Sequence, residues 1–423
     1  MAQQPRPDQS PPALSARVHP LASLAFRDYR LLFLGGLFSG SANQMRQAFN
    51  LYLVYDLSES ALLVGFTGIF QVIPALTLGL FAGALADVFD RRKLLMAVNA
   101  FSMLPPLGIG MLLLTGSLEV WHVFGFTSLT ALITVAQGPA RNSLVPKLVP
   151  STHLMNAVTL NGSLQQVTFF FGPLLGGVMV ETLGAGTTYI INAFILLPAA
   201  VIPALIRTSG KPEGARRRVS LGMVLEGMQF VWSRRILFGL YVTDFGLSSV
   251  GYFRPLLTIL ASDVFHVGPA GLGLLFSAPA IGAVLGFITM LLVGEVRRKG
   301  ALFLIAAMCY AFGLAFLGLS QWFWMGFAAS LILGYTDSIS LVLRQTLTQL
   351  LSPDAYRGRA TAFTRLFAQS GNAIGATEAG FMAQAIGPGG ALVVGGTVGA
   401  GLILSVGLAW RGMWRYRSDI QQT

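Results

Sequence analysis

The chain is poor in cysteine and in charge, and each shortage removes a class of protein. Its single cysteine, Cys309, cannot form an internal disulfide, so this is not a disulfide-stapled scaffold. Charged residues make up 11% of the sequence, against roughly 25% in ordinary soluble domains. The four histidines (His19, His122, His153, His266) fall in the N-terminal tail, at connections or at a span end. With no nucleophile–base–acid set and no metal-ligating cluster, neither an enzyme nor a bound cofactor or metal is expected. No Gly-x-x-x-x-Gly-Lys-Ser/Thr loop occurs, which excludes ATP hydrolysis through that phosphate cradle. The N-terminal tail is polar and proline-rich without a basic-then-apolar signal, so the first span is expected to be retained as its own insertion signal.

What the chain does have is hydrophobic length. Hydrophobic residues are 54% of it, and they gather into twelve apolar stretches of about 20 residues, each enough to cross a ~30 Å hydrocarbon core at 1.5 Å per residue. Of its 28 Lys and Arg residues, all but Arg46 and Arg254 lie at the chain ends or in every second connection. The opposite connections hold Asp56, Glu59, Glu119, Glu181 and Asp263 instead. By the positive-inside rule both termini are expected in the cytoplasm. The net charge of +11 is therefore spread along one membrane face, where it meets anionic lipid; nucleic acid is not an expected partner.

The spans divide into two similar halves. A shift of 203 residues lays Arg141, Leu144, Leu148 and Pro150 on Arg344, Leu347, Leu351 and Pro353, and Gly172 and Gly177 on Gly375 and Gly380. A shift of 206 matches Arg91-Arg92-Lys93 with Arg297-Arg298-Lys299, and one of 208 puts Arg46 on Arg254. The expected organisation is an N-terminal tail (1–25), a six-helix bundle (26–206), a linker (207–235), a second bundle (236–412) and a tail (413–423). Within the linker, Leu221, Val224, Leu225, Met228 and Val231 recur at helical spacing, which predicts a short interfacial helix. Two bundles with a site between them near the midplane is a transporter architecture.

Motifs narrow this further. After the second span come Gly83, Asp87 and the basic cluster Arg91-Arg92-Lys93. This resembles the signature of the major facilitator superfamily, with Val88 where a basic residue is common and Asp90 where glycine is common. The resemblance implies that Asp87, with Gly83, Arg91, Arg92 and Arg141 nearby, holds the cytoplasmic side shut against span 11. Pro139-Ala-Arg141, Asn156-Ala157 and Gly172-Pro173-Leu-Leu-Gly176-Gly177 in span 5 resemble the branch containing enterobactin exporters and macrolide-efflux-like proteins. Gly172, Pro173, Gly176 and Gly177 match the core of a motif associated with antiporters, although Thr168 stands where its longer form has glycine. Drug–proton antiporters also commonly carry an arginine within span 4, and here none precedes Arg141, so their proton relay does not transfer intact.

Three carboxylates lie within spans: Asp244, Asp337 and Glu378. Each costs about 2.5–3.5 kcal/mol at mid-membrane as a charge, which marks them as functional candidates. Glu378 breaks the half-to-half symmetry at the position of Leu175, and Asp337 shares a helical face with Arg344 two turns away, which leaves open a structural ion pair. These two are the expected proton-coupling residues. Ser39, Asn43, Arg46, Gln47 and Asn50 form one polar stripe on span 1 and must face the bundle or water. In the family, spans 1, 4, 7 and 10 line the cavity, so the stripe and Arg254 are expected to form it. The two arginines either make a positive pocket or pair with carboxylates to close the outer gate. The expected function is proton-coupled export of a small organic molecule from the bacterial inner membrane, with the chain a monomer. An uptake carrier of the same fold and a non-transporting membrane sensor or assembly partner remain open.

Overall fold

Lipid offers no hydrogen-bond partners, so a chain this apolar must satisfy its backbone internally. The computed structural model describes residues 19–211, 229, 231–294 and 296–415, apart from the side chains at 78–87, 235, 354–367, 411 and 415, and it contains no strand among them. The expected linker helix and the C-terminal tail therefore fall largely outside the described residues. So do the side chains of Gly83 and Asp87.

Twelve spans follow one another. Span 1 is Arg27–Ser58 and span 2 is Ala61–Val88. Spans 3 to 6 are Arg91–Leu114, Val120–Leu148, Ser151–Leu183 and Ala185–Leu205; spans 7 to 10 are Ile236–Val264, Pro269–Val293, Lys299–Gly318 and Phe323–Leu351. Spans 11 and 12 share the stretch Asp354–Ala409, which breaks at Gly387. There φ is 76°, a left-handed value that glycine adopts without a Cβ clash, and Pro388 follows it.

The two halves are related by pseudo-symmetry down to individual glycines. In span 5, a side chain on Gly172 would strike span 1 at Gln44 and Ser41, and one on Gly177 would strike span 8 at Pro269 and Gly273. In span 11, Gly375 abuts span 7 at Ser248 and Tyr252, and Gly380 abuts span 2 at Gly65 and Ala61. Apolar burial drives little association between helices already in lipid, so close backbone approach of this kind supplies the van der Waals contact that does. Spans 5 with 8, and 11 with 2, are thus the two seams that join the halves.

Among the described residues, those seams close one side. Buried apolar residues form one cluster shared by both halves, in which Phe49, Val64 and Phe124 meet Leu257, Leu275 and Leu317 at the outer face, opposite the basic connections. Towards the basic, inner face the core splits. Tyr29, Leu144 and Ile206 anchor a cluster confined to the first half, and Leu240, Phe303 and Leu343 one confined to the second. Cross-half hydrogen bonds agree. The Tyr55 hydroxyl donates to Asp263 at 2.5 Å, the Ala270 N–H to Glu181 at 2.9 Å, and the Ser277 hydroxyl to the Phe170 carbonyl at 2.7 Å. All three lie in the outer half of their spans, and no such bond joins the described residues of the two halves nearer the inner face.

Candidate functional site

Prolines explain why the helices break beside the cavity. Pro106 has no N–H to give the Ser102 carbonyl, and span 3 is interrupted between Phe101 and Leu104. The guanidinium of Arg46 fills the vacancy, its Nη1 donating to Ser102 O at 3.3 Å while Nη2 donates to Asn43 Oδ1 at 2.7 Å. Pro255 does the same to Gly251 in span 7, where the helix unwinds over 251–253 and the Tyr310 hydroxyl reaches the Gly251 carbonyl at 3.4 Å. Each half thus has a side chain serving a carbonyl that proline orphaned.

Between these breaks lies a cavity of ≈ 280 Å³. Span 1 contributes Asn43, Gln44, Arg46, Gln47 and Asn50, and span 2 contributes Thr67 and Gln71. Thr127, Thr130, Thr134 and Gln137 descend span 4, while Tyr252, Pro255 and Ala376 come from the second half. The described lining mixes amides, hydroxyls and one cation with apolar Leu51, Ala131, Pro255 and Ala376, and includes no carboxylate. Asn50 is fixed at both ends of its amide, accepting from Tyr189 at 2.7 Å and donating to Thr127 at 3.0 Å.

The expected stripe is therefore largely in place, with Ser39 the exception: it is buried and lines a neighbouring crevice beside Gly36 and Arg141. The span 4 stripe was missed, although its spacing of three or four residues was visible in the sequence. The two arginines do not converge as a positive pocket. Arg46 lines the cavity; Arg254 instead lies over the Phe169 ring at 5.0 Å, a cation–π contact from span 7 to span 5 across the halves. Nor does Arg46 pair with a carboxylate, since its bonds go to Ser102 and Asn43.

The carboxylates occupy the second half. Asp337 lies within span 10, accessible at its surface, and Arg254 is the cation that acts on it. The ion pair left open for Asp337 forms elsewhere: Arg344 of span 10 bonds Asp244 of span 7, with side-chain exposures of 8% and 14%. Beside it, the Tyr241 hydroxyl meets Thr348 Oγ1 at 2.9 Å. Glu378 is half-buried in span 11, between the seam glycines Gly375 and Gly380. Neither Asp337 nor Glu378 lines the cavity.

The described hydrogen bonds of the basic motif residues run within the first half. Asp90, the departure from the family pattern, caps span 3 by accepting from the Arg92 N–H at 2.9 Å. Arg91 donates to the Ser143 carbonyl at 3.1 Å, Arg92 to the Ile206 carbonyl at 2.5 Å, and Arg141 to Asn161 at 3.2 Å. In span 5, Gly176 packs under Met45 and Phe49 of span 1, so the Gly172–Gly177 stretch is a contact surface facing span 1 and span 8 together.

A polar mid-depth cavity between two six-helix bundles joined at one face is the form of a secondary carrier. Residues 18–416 match the family model described as transmembrane secretion effector, and the chain belongs to that family of the major facilitator superfamily, a group of membrane transporters. Among curated proteins it is 28% identical over 310 residues to the enterobactin exporter EntS of Citrobacter koseri, covering 70% of this chain and 71% of that protein. It is 26% identical over the same length to the EntS protein of Escherichia coli O139:H28, with the same coverage. Solved structures share the fold at low identity. A POT family transporter in complex with a thioalcohol-conjugated peptide superposes with a TM-score of 0.75 at 11% identity, covering 92% of this chain and 96% of that one. A bacterial homologue of the human lysosomal transporter Spinster, inward-facing and unoccupied, gives 0.68 at 14%, with 92% and 96% covered.

Proposed function

We propose that the chain exports a small organic molecule across the bacterial inner membrane in exchange for protons, by alternating access, with both termini in the cytoplasm. One observation carries the reading: the cavity sits at mid-depth between halves that share a core at one face and whose described residues form separate cores at the other. This is the arrangement of a carrier paused with its site facing the basic side. The exporter names of the curated relatives favour outward transport, and three carboxylates within spans supply groups able to carry a proton. In this scheme the cavity amides and threonines hold the cargo by hydrogen bonds. Asp337 and Glu378 take up and release the proton, while Asp87 closes the cytoplasmic side in the opposite state. The unit of function is one chain.

The test uses proteoliposomes sorted for the orientation with the cytoplasmic face outward, an acidic interior, and enterobactin as the first cargo tried. Accumulation that collapses when the pH gradient is dissipated supports proton-driven export. Accumulation only with the gradient and orientation reversed indicates an uptake carrier. A chain that binds its cargo but supports neither accumulation nor counterflow is a sensor or assembly partner, and the proposal fails.

A further inference from the structure

The cavity is not the only concave surface. A groove of ≈ 250 Å³ runs between spans 9 and 12 on the outside of the second half, lined by Leu304, Met308, Cys309, Phe312, Leu404 and Trp414 among others. Its walls are apolar, and Phe312, Leu404 and Trp414 are exposed by 63%, 57% and 44%. Its floor is the second-half core at Leu304 and Ile403, and its open side faces the region that the bilayer fills. Gly407 forms part of its floor: a side chain there would press on the Trp414 indole.

The groove has a direction. Leu304 lies five residues into span 9 from its inner end and Phe312 eight further on, a rise of about 12 Å along the helix, which is most of the roughly 15 Å depth of one leaflet's hydrocarbon. Trp414 stands at its inner mouth, where an indole suits the boundary between headgroup and acyl chain. Cations gather at that mouth. Arg297 and Arg298, both exposed, immediately precede span 9, whose first turn at Gly300 packs against Met413 beside Trp414. An apolar trough of one leaflet's depth, capped by an indole and flanked by two exposed arginines, has the chemistry of one anionic lipid molecule.

We infer that this groove is a binding site for an anionic phospholipid of the inner leaflet, its acyl chain lying along spans 9 and 12 and its headgroup held by Arg297 and Arg298. A protein helix seated there would need a polar or neutral mouth, and the mouth is basic. Uncharged lipid fills the same trough without the headgroup contacts, so the distinguishing property is charge selectivity at this one place.

The native Cys309 makes the site readable, because it is the only thiol in the chain and lies in the groove. The full-length protein is labelled there with a small bimane maleimide and reconstituted in phosphatidylcholine vesicles. These carry about 5 mol % of either dibrominated phosphatidylglycerol or dibrominated phosphatidylcholine with the same chains, and two headgroup contacts are expected to enrich the anionic lipid roughly tenfold over its bulk fraction. Quenching by the brominated phosphatidylglycerol should then clearly exceed that by phosphatidylcholine and fall to the phosphatidylcholine level in the Arg297→Gln/Arg298→Gln variant. High salt applied to the parent protein should do the same, which covers a variant that fails to insert. Equal quenching by both lipids in the parent would overturn the proposal and leave an ordinary lipid-facing surface. Quenching by neither, together with a dimeric mass in detergent, would show that a second copy covers the groove and would equally overturn it.

Discussion

The two halves have the same helices and nearly the same glycines, yet they place charge in opposite ways. Gly36 and Asp244 correspond at a shift of 208, and Arg141 and Arg344 at a shift of 203. In the second half the pair closes as a buried ion pair between spans 7 and 10. In the first half the carboxylate is missing, and the Arg141 guanidinium rests against Gly36, where a side chain would collide with it. Its hydrogen bond goes to neutral Asn161 instead. The same division extends through the molecule. Asp244, Asp337 and Glu378 all lie in the second half, whereas most of the cavity's amides and hydroxyls come from spans 1, 2 and 4.

The largest effect expected from this comparison concerns the two inner arginines. Arg344→Ala strands the Asp244 carboxylate and should destabilise the protein by about 3–5 kcal/mol, whereas Arg141→Ala strands no charge and loses a hydrogen bond to a neutral amide, at about 1.5–3 kcal/mol. Thermal unfolding in detergent measures both. The double change Asp244→Asn/Arg344→Gln should recover much of the loss, because no lone charge remains. Equal losses for the two single variants would mean that the halves are electrostatically alike after all.

A smaller effect is expected at Arg46, the one cation of the cavity. If it meets an anionic group on the cargo, Arg46→Gln should weaken binding of an acidic cargo by about 1.5–3 kcal/mol and of its neutral ester by much less. Lysine should rescue only in part, since it cannot serve Ser102 and Asn43 with one planar fork. Equal losses for acid and ester would assign Arg46 solely to the orphaned carbonyl of span 3.

The seams provide the smallest and most symmetrical test. Gly177→Val and Gly380→Val each force a side chain into facing backbone, at spans 8 and 2 respectively. Each should disfavour the closed outer face by about 1–3 kcal/mol. The readout is labelling of Gln71→Cys, in a Cys309→Ser background, by an impermeant maleimide added from the outer side. Faster labelling in one variant alone would show that the two seams do not share the closure.

Much of this was legible in the residues. The 203-residue repeat predicted glycines that the fold places at matching seams. The stripe on span 1 was legible because a polar helix face cannot meet lipid. Partner choice was not. Helical periodicity put Asp337 and Arg344 on one face, but it carries no information on which neighbouring helix lies closer, and Asp244 of span 7 takes the arginine. Arg46 misled for a related reason: its partner is a carbonyl freed by Pro106 on another span, a vacancy that appears only when the spans are packed. Comparing Gly36 with Asp244 through the repeat was the one sequence signal that could have paired Arg344 correctly.

The separation of binding from coupling is tested most directly by comparing two readings on Asp337→Asn and Glu378→Gln in the same proteoliposomes. One is downhill exchange of enterobactin with the gradient dissipated; the other is accumulation against an acidic interior. A neutral amide imitates a permanently protonated carboxyl, so exchange should persist at close to the parent rate while accumulation disappears. Loss of exchange together with accumulation in both variants would place these carboxylates in cargo binding or structure and contradict the division between the halves.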